Sequence, residues 1–435
     1  MESMDIFTNE FEEKENKPNT FPKKGKIAII ILSCFILVLI LAIIILSILY
    51  IKEKNKYNSN SNSNPKKEVE NQLEMITNFL RKAFSGDIYY NLTYAKETVE
   101  NTFKNNGKNY QEKIGPINED KDYKANKYNI YDLYLPYSAL KTNKTKGIIL
   151  FIHGGAWIQG NKEEMAYLCQ IYFEHEYIIA NMDYTLLTEE DKSTNIYRIL
   201  DDISACIEDI KNRLKNMGFN EKELEIAIGG GSAGGHLSLL YGYLVKEPPL
   251  PVKFIIDAIG PVNLETDDFY FIEKDEDTLP DIEPETVNEA IKKNKYNKPM
   301  VNDEFLLKFL NLFIGSHYTQ VQLKGMLKQD NTIDKQNPNY KELFDKAKYG
   351  FPINWMEGKD IPILALYGGK DQLIGFIQYA RLKETAVKYG NTLQLVYSRY
   401  GGHGLSEFEH EEGKIAAKDF HFYMLKFSED YFNKH

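Results

Sequence analysis

An apolar strand that runs straight into five glycines around one serine constrains this chain more than any other feature: Glu225-Ile-Ala-Ile-Gly-Gly-Gly-Ser-Ala-Gly-Gly-His236. So many residues without side chains at a strand-to-helix junction imply a turn tighter than ordinary residues allow. Two functional patterns overlap there. Gly229-x-Gly231-x-x-Gly234 fits a dinucleotide-binding turn, and Asp257 ends the next strand about where a ribose-binding acid would lie. Gly230-Gly231-Ser232-Ala233-Gly234 fits G-x-S-x-G, which lifts a serine to the apex of the turn. A purely structural glycine turn is the third reading.

The surroundings separate these readings. At the end of an upstream strand stands His153-Gly154-Gly155-Ala156-Trp157, whose glycines let backbone N–H groups turn toward one point. Such donors, Gly154 and Gly155 together with the N–H of Ala233 after the serine, stabilise the oxyanion of a tetrahedral intermediate. A dinucleotide-binding turn has no use for them. Downstream, an apolar strand runs into Gly368-Gly369-Lys370-Asp371, and the strand ending near Tyr397 is followed by Gly401-Gly402-His403-Gly404. The order Ser232, Asp371, His403 is that of a serine nucleophile, its acid and its base in one known triad arrangement. If the serine reading holds, Asp257 becomes an ordinary strand-end residue.

At these residues the sequence resembles the α/β-hydrolase superfamily, closest to an esterase and lipase branch that carries HGG[GA][FW] before G-x-S-A-G-G. The form H-G-G-A-W with S-A-G-G-H-L is similar to the subgroup of kynurenine formamidase and of acetyl esterases of polysaccharide breakdown. The resemblance extends from about Tyr128 to the C-terminus, roughly seventy per cent of the chain. Asn129-Ile-Tyr-Asp-Leu-Tyr-Leu-Pro136 looks like the opening strand and Met182-Asp183-Tyr184 like the motif after the third core strand. The resemblance implies a mostly parallel central sheet with helices on both faces and a helical cap. It implies no metal and no cofactor, and a small-molecule, lipid or glycan ester as substrate. Two departures stand out. Gly231 occupies a position before the serine where relatives carry a side chain, and about ninety-five residues separate Leu264 from Pro362.

The segments around this core divide the 435 residues into a short N-terminal tail (1–26), a charge-free run Ile27–Ile51, a polar Asn/Ser-rich tether (52–65), a helical segment (66–110) and the main domain (111–435) with an insert at 264–350. As a helix, this run of 25 uncharged residues exceeds a hydrocarbon core of about 30 Å, so residues 27–51 read as an uncleaved transmembrane signal anchor. Lysines flank it almost evenly. Lys14 and Lys17 tip the balance toward a cytoplasmic N-terminus, which places the large C-terminal part outside the cytoplasm. The sequons Asn91-Leu92-Thr93 and Asn143-Lys144-Thr145 agree with that side. Val69, Leu73, Ile76, Leu80 and Phe84, then Leu92, Ala95, Val99 and Phe103, recur at helical spacing and predict two amphipathic helices that could contribute to the cap. The acidic segment Glu265–Glu285 reads as a solvated loop, because it lacks EF-hand spacing.

From about Tyr128 the texture alternates short apolar runs with helical stretches, the pattern of an α/β fold. It predicts strands at 129–135, 147–152, 177–183, 224–228, 253–259, 362–367 and 393–397, and a helix from Asn195 to Met217 stopped at Gly218. Net charge is −10, the wrong sign for a protein whose main partner is nucleic acid. The three cysteines cannot build a disulfide framework; Cys169 and Cys206 read as buried thiols, with a bond between them left open. His153 and His236 read as structural, and Trp157 as a core or pocket-wall aromatic. An amide or formamide hydrolase using the same residues, or an inactive binding module on this fold, are the competing functional readings. Nothing in the sequence fixes an oligomeric state.

Overall fold

A computed structural model describes residues 86–94, 127–191, 193–265, 270–271, 298–299, 302–369, 371, 373–398, 401–403 and 423–432. The signal anchor read at 27–51, the tether, most of the two N-terminal helices and nearly all of the acidic segment lie outside them. Among the described residues no helix is long and apolar enough to cross a membrane.

Strand β1 (Gly86–Thr93) pairs antiparallel with β2 (Ile130–Pro136). After helix α1 (Tyr137–Thr142) come β3 (Ile148–Ile152), α2 (Ala166–Glu174), β4 (Ile178–Met182) and α3 (Ile196–Asn216). Then follow β5 (Ile226–Gly231), α4 (Ala233–Leu244) and β6 (Val252–Ala258). A small pair, β7 (Tyr270–Phe271) and β8 (Lys298–Pro299), precedes the insert helices α5 (Asp303–Phe313), α6 (Gln320–Lys324) and α7 (Pro338–Ala347). The chain returns through β9 (Ile363–Gly368), α8 (Phe376–Tyr389) and β10 (Leu393–Ser398), and residues 423–432 are helical.

The main sheet has eight strands in the order β1-β2-β4-β3-β5-β6-β9-β10. β2 runs antiparallel to both of its neighbours and the remaining pairs are parallel. Parallel strands need crossover helices on the faces, which bury both sides and account for continuous runs such as Ile148-Ile-Leu-Phe-Ile152. Because side chains alternate along a strand, that one run feeds two cores. Ile148, Leu150 and Ile152 join a cluster with α3 and the insert, while Ile149 and Phe151 join another with α2 and α8. Every strand read from the sequence is present within three residues of its expected ends. The helix expected from Asn195 starts there too, since the Asn195 side chain accepts from the N–H groups of Tyr197 and Arg198.

Two expectations need correction and one open question is closed. Leu92 does not begin a helix: Gly86–Thr93 is an edge strand of the main sheet, so part of the 66–110 segment belongs to the sheet of the main domain. The cysteine pair is settled as well. Cys169 and Cys206 are free buried thiols, in core clusters on opposite faces of the sheet. Asp257 is no ordinary strand-end residue: it is fully buried and fully engaged, as shown below.

Candidate active site

β5 ends against β3, and the turn into α4 has almost no room. A side chain on Gly230 would come within 2.3 Å of the Ile152 carbonyl oxygen, and one on Gly234 within 2.0 Å of the same atom. Ser232 sits at the apex with φ 52° and ψ −119°, a region that costs a non-glycine residue about 1–3 kcal/mol. Its N–H donates to the Ala258 carbonyl at 2.7 Å, and its carbonyl accepts from His236 N–H at 3.0 Å. The turn is therefore pinned from both sides while the side chain stays partly exposed. Ala233 is the first residue of α4, so its N–H has no acceptor within the helix. Gly231, the residue that departs from the pattern of relatives, has open space; the nearest atom to an added Cβ there lies 3.8 Å away.

The His153–Trp157 loop lies directly over this elbow. A Cβ on Gly154 would stand 3.4 Å from that of Ser232. The Gly154 carbonyl accepts from His153 Nδ1–H at 2.8 Å and from the Tyr184 hydroxyl at 3.2 Å. In a trans peptide the next N–H points the opposite way, so this anchoring turns the Gly155 N–H away from the His153–Tyr184 side. The His153 and Tyr184 rings stack at 4.2 Å. Burial lowers the His153 pKa to about 4, so its imidazole is neutral at ordinary pH and braces the loop as expected. Gly155, with φ 100°, uses freedom that other residues lack, yet Ala156 (49°) and Trp157 (64°) are left-handed too, at about 1–2 kcal/mol each.

The acid and the histidine come from later strand ends. Asp371 follows β9, its side chain wholly buried, and Oδ1 accepts from Leu373 N–H and Ile374 N–H, both at 2.8 Å. Oδ2 faces Nδ1 of His403 at 2.9 Å. A carboxylate only accepts, so Nδ1 carries the proton and Nε2 is left as a base. The His403 side chain is 23% exposed. A Cβ on Gly368, at the end of β9, would meet the Gly401 carbonyl oxygen at 2.3 Å, which ties the histidine loop to the sheet's C-terminal edge. β5, β6 and β9 are neighbours, so Ser232 and Asp371 both follow the C-terminal ends of strands two places apart.

Supporting residues were partly missed in the sequence. Asp257 Oδ1 accepts from Gly260 N–H at 2.8 Å and Oδ2 from the Tyr367 hydroxyl at 2.8 Å, tying β6 to β9 beneath α4. Burial pushes its pKa up to about 7. His236, on α4, donates from Nε2 to the Gly350 carbonyl at 2.8 Å, and burial lowers its pKa to about 4. Trp157 is buried between His236 and the insert aromatics Phe309 and Phe313. Beside the loop, Lys162 pairs with Asp132 at 3.0 Å, both buried, and its backbone N–H donates to Asp183. Burial also raises the Asp183 pKa to about 6. Trp157, Asp183 and His236 sit in segments the sequence singled out, but no motif marks partners such as Gly350 and Tyr367, which lie more than a hundred residues from His236 and Asp257 respectively.

Sequence and fold resemble those of the α/β-hydrolases, as read from the sequence. Residues 131–300 match a family model described as BD-FAE. An AB hydrolase superfamily protein of Schizosaccharomyces pombe is 28% identical over 120 residues, covering 25% of this chain and 31% of that protein. The matched stretch thus spans about a third of the length of that curated relative. Among solved structures, a truncated carbohydrate esterase from gut microbiota has TM-score 0.48 and 18% identity, over 80% of this chain and 97% of the other. Esterase B from Lactobacillus rhamnosis has TM-score 0.46 and 14% identity, over 83% and 94%.

Proposed function

We propose that the protein is a membrane-anchored serine hydrolase that cleaves carboxylic esters of short to medium acyl chain through an acyl-enzyme. The observation that carries the reading is the 2.9 Å pairing of Asp371 with His403, taken with Ser232 held at a strained elbow under a glycine loop. In this reading His403 Nε2 takes the Ser232 hydroxyl proton as Oγ attacks the ester carbonyl carbon. The N–H groups of Gly154, Gly155 and Ala233 hold the oxyanion, where loss of one donor typically costs about 10²–10³ in turnover. Collapse of the intermediate expels the alcohol, which leaves with the proton from His403. Water then gives its proton to His403 and attacks the acyl carbon; release of the acid returns the proton to Ser232.

The relative named as an AB hydrolase superfamily protein and the matched family model support hydrolysis. Anchoring rests on the apolar run at residues 27–51, and the exposed Asn91 and Asn143 support a domain outside the cytoplasm. The detergent-solubilised full chain should hydrolyse p-nitrophenyl acetate faster than N-formylkynurenine. Preference for the formamide would replace esters by amides, and hydrolysis of neither would favour a binding module. Retention in the membrane pellet after alkaline carbonate extraction checks the anchor; release into the supernatant would remove it.

A further inference from the structure

We propose that Phe313, at the end of insert helix α5, is a positioning residue that holds the oxyanion loop through Trp157. The inference rests on the serine-hydrolase reading. Two consecutive non-glycine residues of that loop, Ala156 and Trp157, sit at φ 49° and 64°. Such a backbone persists only where its surroundings over-determine it. Local hydrogen bonds supply part of the restraint: Ile158 N–H and Gln159 N–H donate to the Gly155 carbonyl at 3.1 and 3.0 Å, and the Trp157 carbonyl accepts from Leu187 N–H at 2.9 Å.

The rest comes from where the indole is seated. Its ring centroid lies 5.0 Å from that of His236, 5.3 Å from Phe309 and 5.5 Å from Phe313. His236 belongs to the elbow helix; the two phenylalanines belong to the insert. Phe313 is completely buried and joins all of these parts. It lies 5.7 Å from the His236 ring, and a Cβ on Gly350 would come within 2.4 Å of it. Gly350 in turn accepts from His236 Nε2. One side chain therefore touches the loop tryptophan, the elbow helix and the far end of the insert.

Removing the ring opens a cavity behind Trp157 and lets residues 156–157 relax toward common backbone conformations. Gly154 and Gly155 would shift relative to Ser232. Displacement of about 1 Å can cost roughly 10² in rate, and loss of donors aimed at the oxyanion lowers kcat more than it raises KM. An ordinary core residue would instead lower stability alone.

The test compares Phe313→Ala and Phe313→Leu with Phe427→Ala, a truncation of equal size in the other core cluster, where Phe427 packs 5.4 Å from Phe254. All are assayed with p-nitrophenyl acetate well below their melting temperatures. Phe313→Ala should lose about ten- to hundredfold in kcat with KM within about threefold, and slow fluorophosphonate labelling in parallel. Phe313→Leu should recover most of that loss, and Phe427→Ala should keep kcat within about threefold despite a lower Tm. Should Phe313→Ala not fold, Phe313→Leu against Phe427→Leu decides, with a kcat loss of about threefold or more expected for the former alone. Wild-type kcat in the Phe313 variants, or an equal loss in the Phe427 controls, overturns the inference. A wild-type protein that neither cleaves esters nor takes the label removes the hydrolase reading first.

Discussion

Asp371 presents one carboxylate oxygen to Nδ1 of His403 at 2.9 Å and gives the other to two backbone N–H groups of its own turn. The second pair of bonds fixes the carboxylate, so the first fixes the imidazole. The C-terminal ends of two adjacent parallel strands, β9 and β10, thereby lead to residues 32 positions apart that meet.

Asp371→Asn should retain the backbone bonds through its amide oxygen while turning an NH₂ toward Nδ1. The histidine would then be driven to the tautomer with its proton on Nε2, where it cannot act as a base. A fall in kcat of about 10⁴ with Tm little changed is expected, measured by steady-state ester hydrolysis beside a thermal melt. A variant within tenfold of wild type would contradict the role given to the pair.

The elbow glycines differ sharply in the space around them. Gly234→Ala would drive its methyl against the Ile152 carbonyl oxygen, 2.0 Å away, and should abolish activity or folding. Gly231→Ala has its nearest neighbour at 3.8 Å and should keep kcat within about threefold and gain stability from a less flexible unfolded chain, by about 0.4–1 kcal/mol. Comparison of soluble yield, Tm and hydrolysis checks both; equal damage in the two variants would contradict the packing described.

Asp201 on α3 is buried with neither oxygen hydrogen-bonded, and burial, reinforced by the Asp202 charge, holds its pKa well above the usual carboxylate range. The folded state therefore binds a proton that the unfolded chain has lost above about pH 3.9. Its contribution to stability is fully present below that pH and is lost as pH rises toward the folded pKa. Asp201→Asn, which carries no such proton, should gain on wild type from pH 4 upward, by at most about 1.4 kcal/mol per pH unit. Melts at pH 4, 6 and 8 check this, and a difference that does not grow with pH would contradict it.

Much of this architecture is legible in the sequence because parallel strands buried on both faces announce themselves as uninterrupted apolar runs. Ser232, Asp371 and His403 stand out for a related reason: each sits in a glycine-rich turn after such a run, where a backbone must bend hard. The edge strand β1 gives no such signal. Its residues are mostly exposed, and a bulge between Tyr89 and Leu92 breaks the alternation, so Leu92 reads as the start of a helical pattern instead. Asn91 sits in that bulge at φ 54°, held by a bond from its N–H to Asp132. Asp257 misleads for the opposite reason. A lone acid at a strand end says nothing of Tyr367, 110 residues away, whose hydroxyl it accepts. Phe313 and Gly350 likewise acquire meaning only once the insert folds onto α4.

The most direct measurement of the central claim is fluorophosphonate labelling of the folded protein, with the modified residue located by peptide mass spectrometry. One adduct is expected, on Ser232, absent from Ser232→Ala and strongly slowed in His403→Gln. Labelling at another serine, or none on a folded wild-type protein, would contradict it.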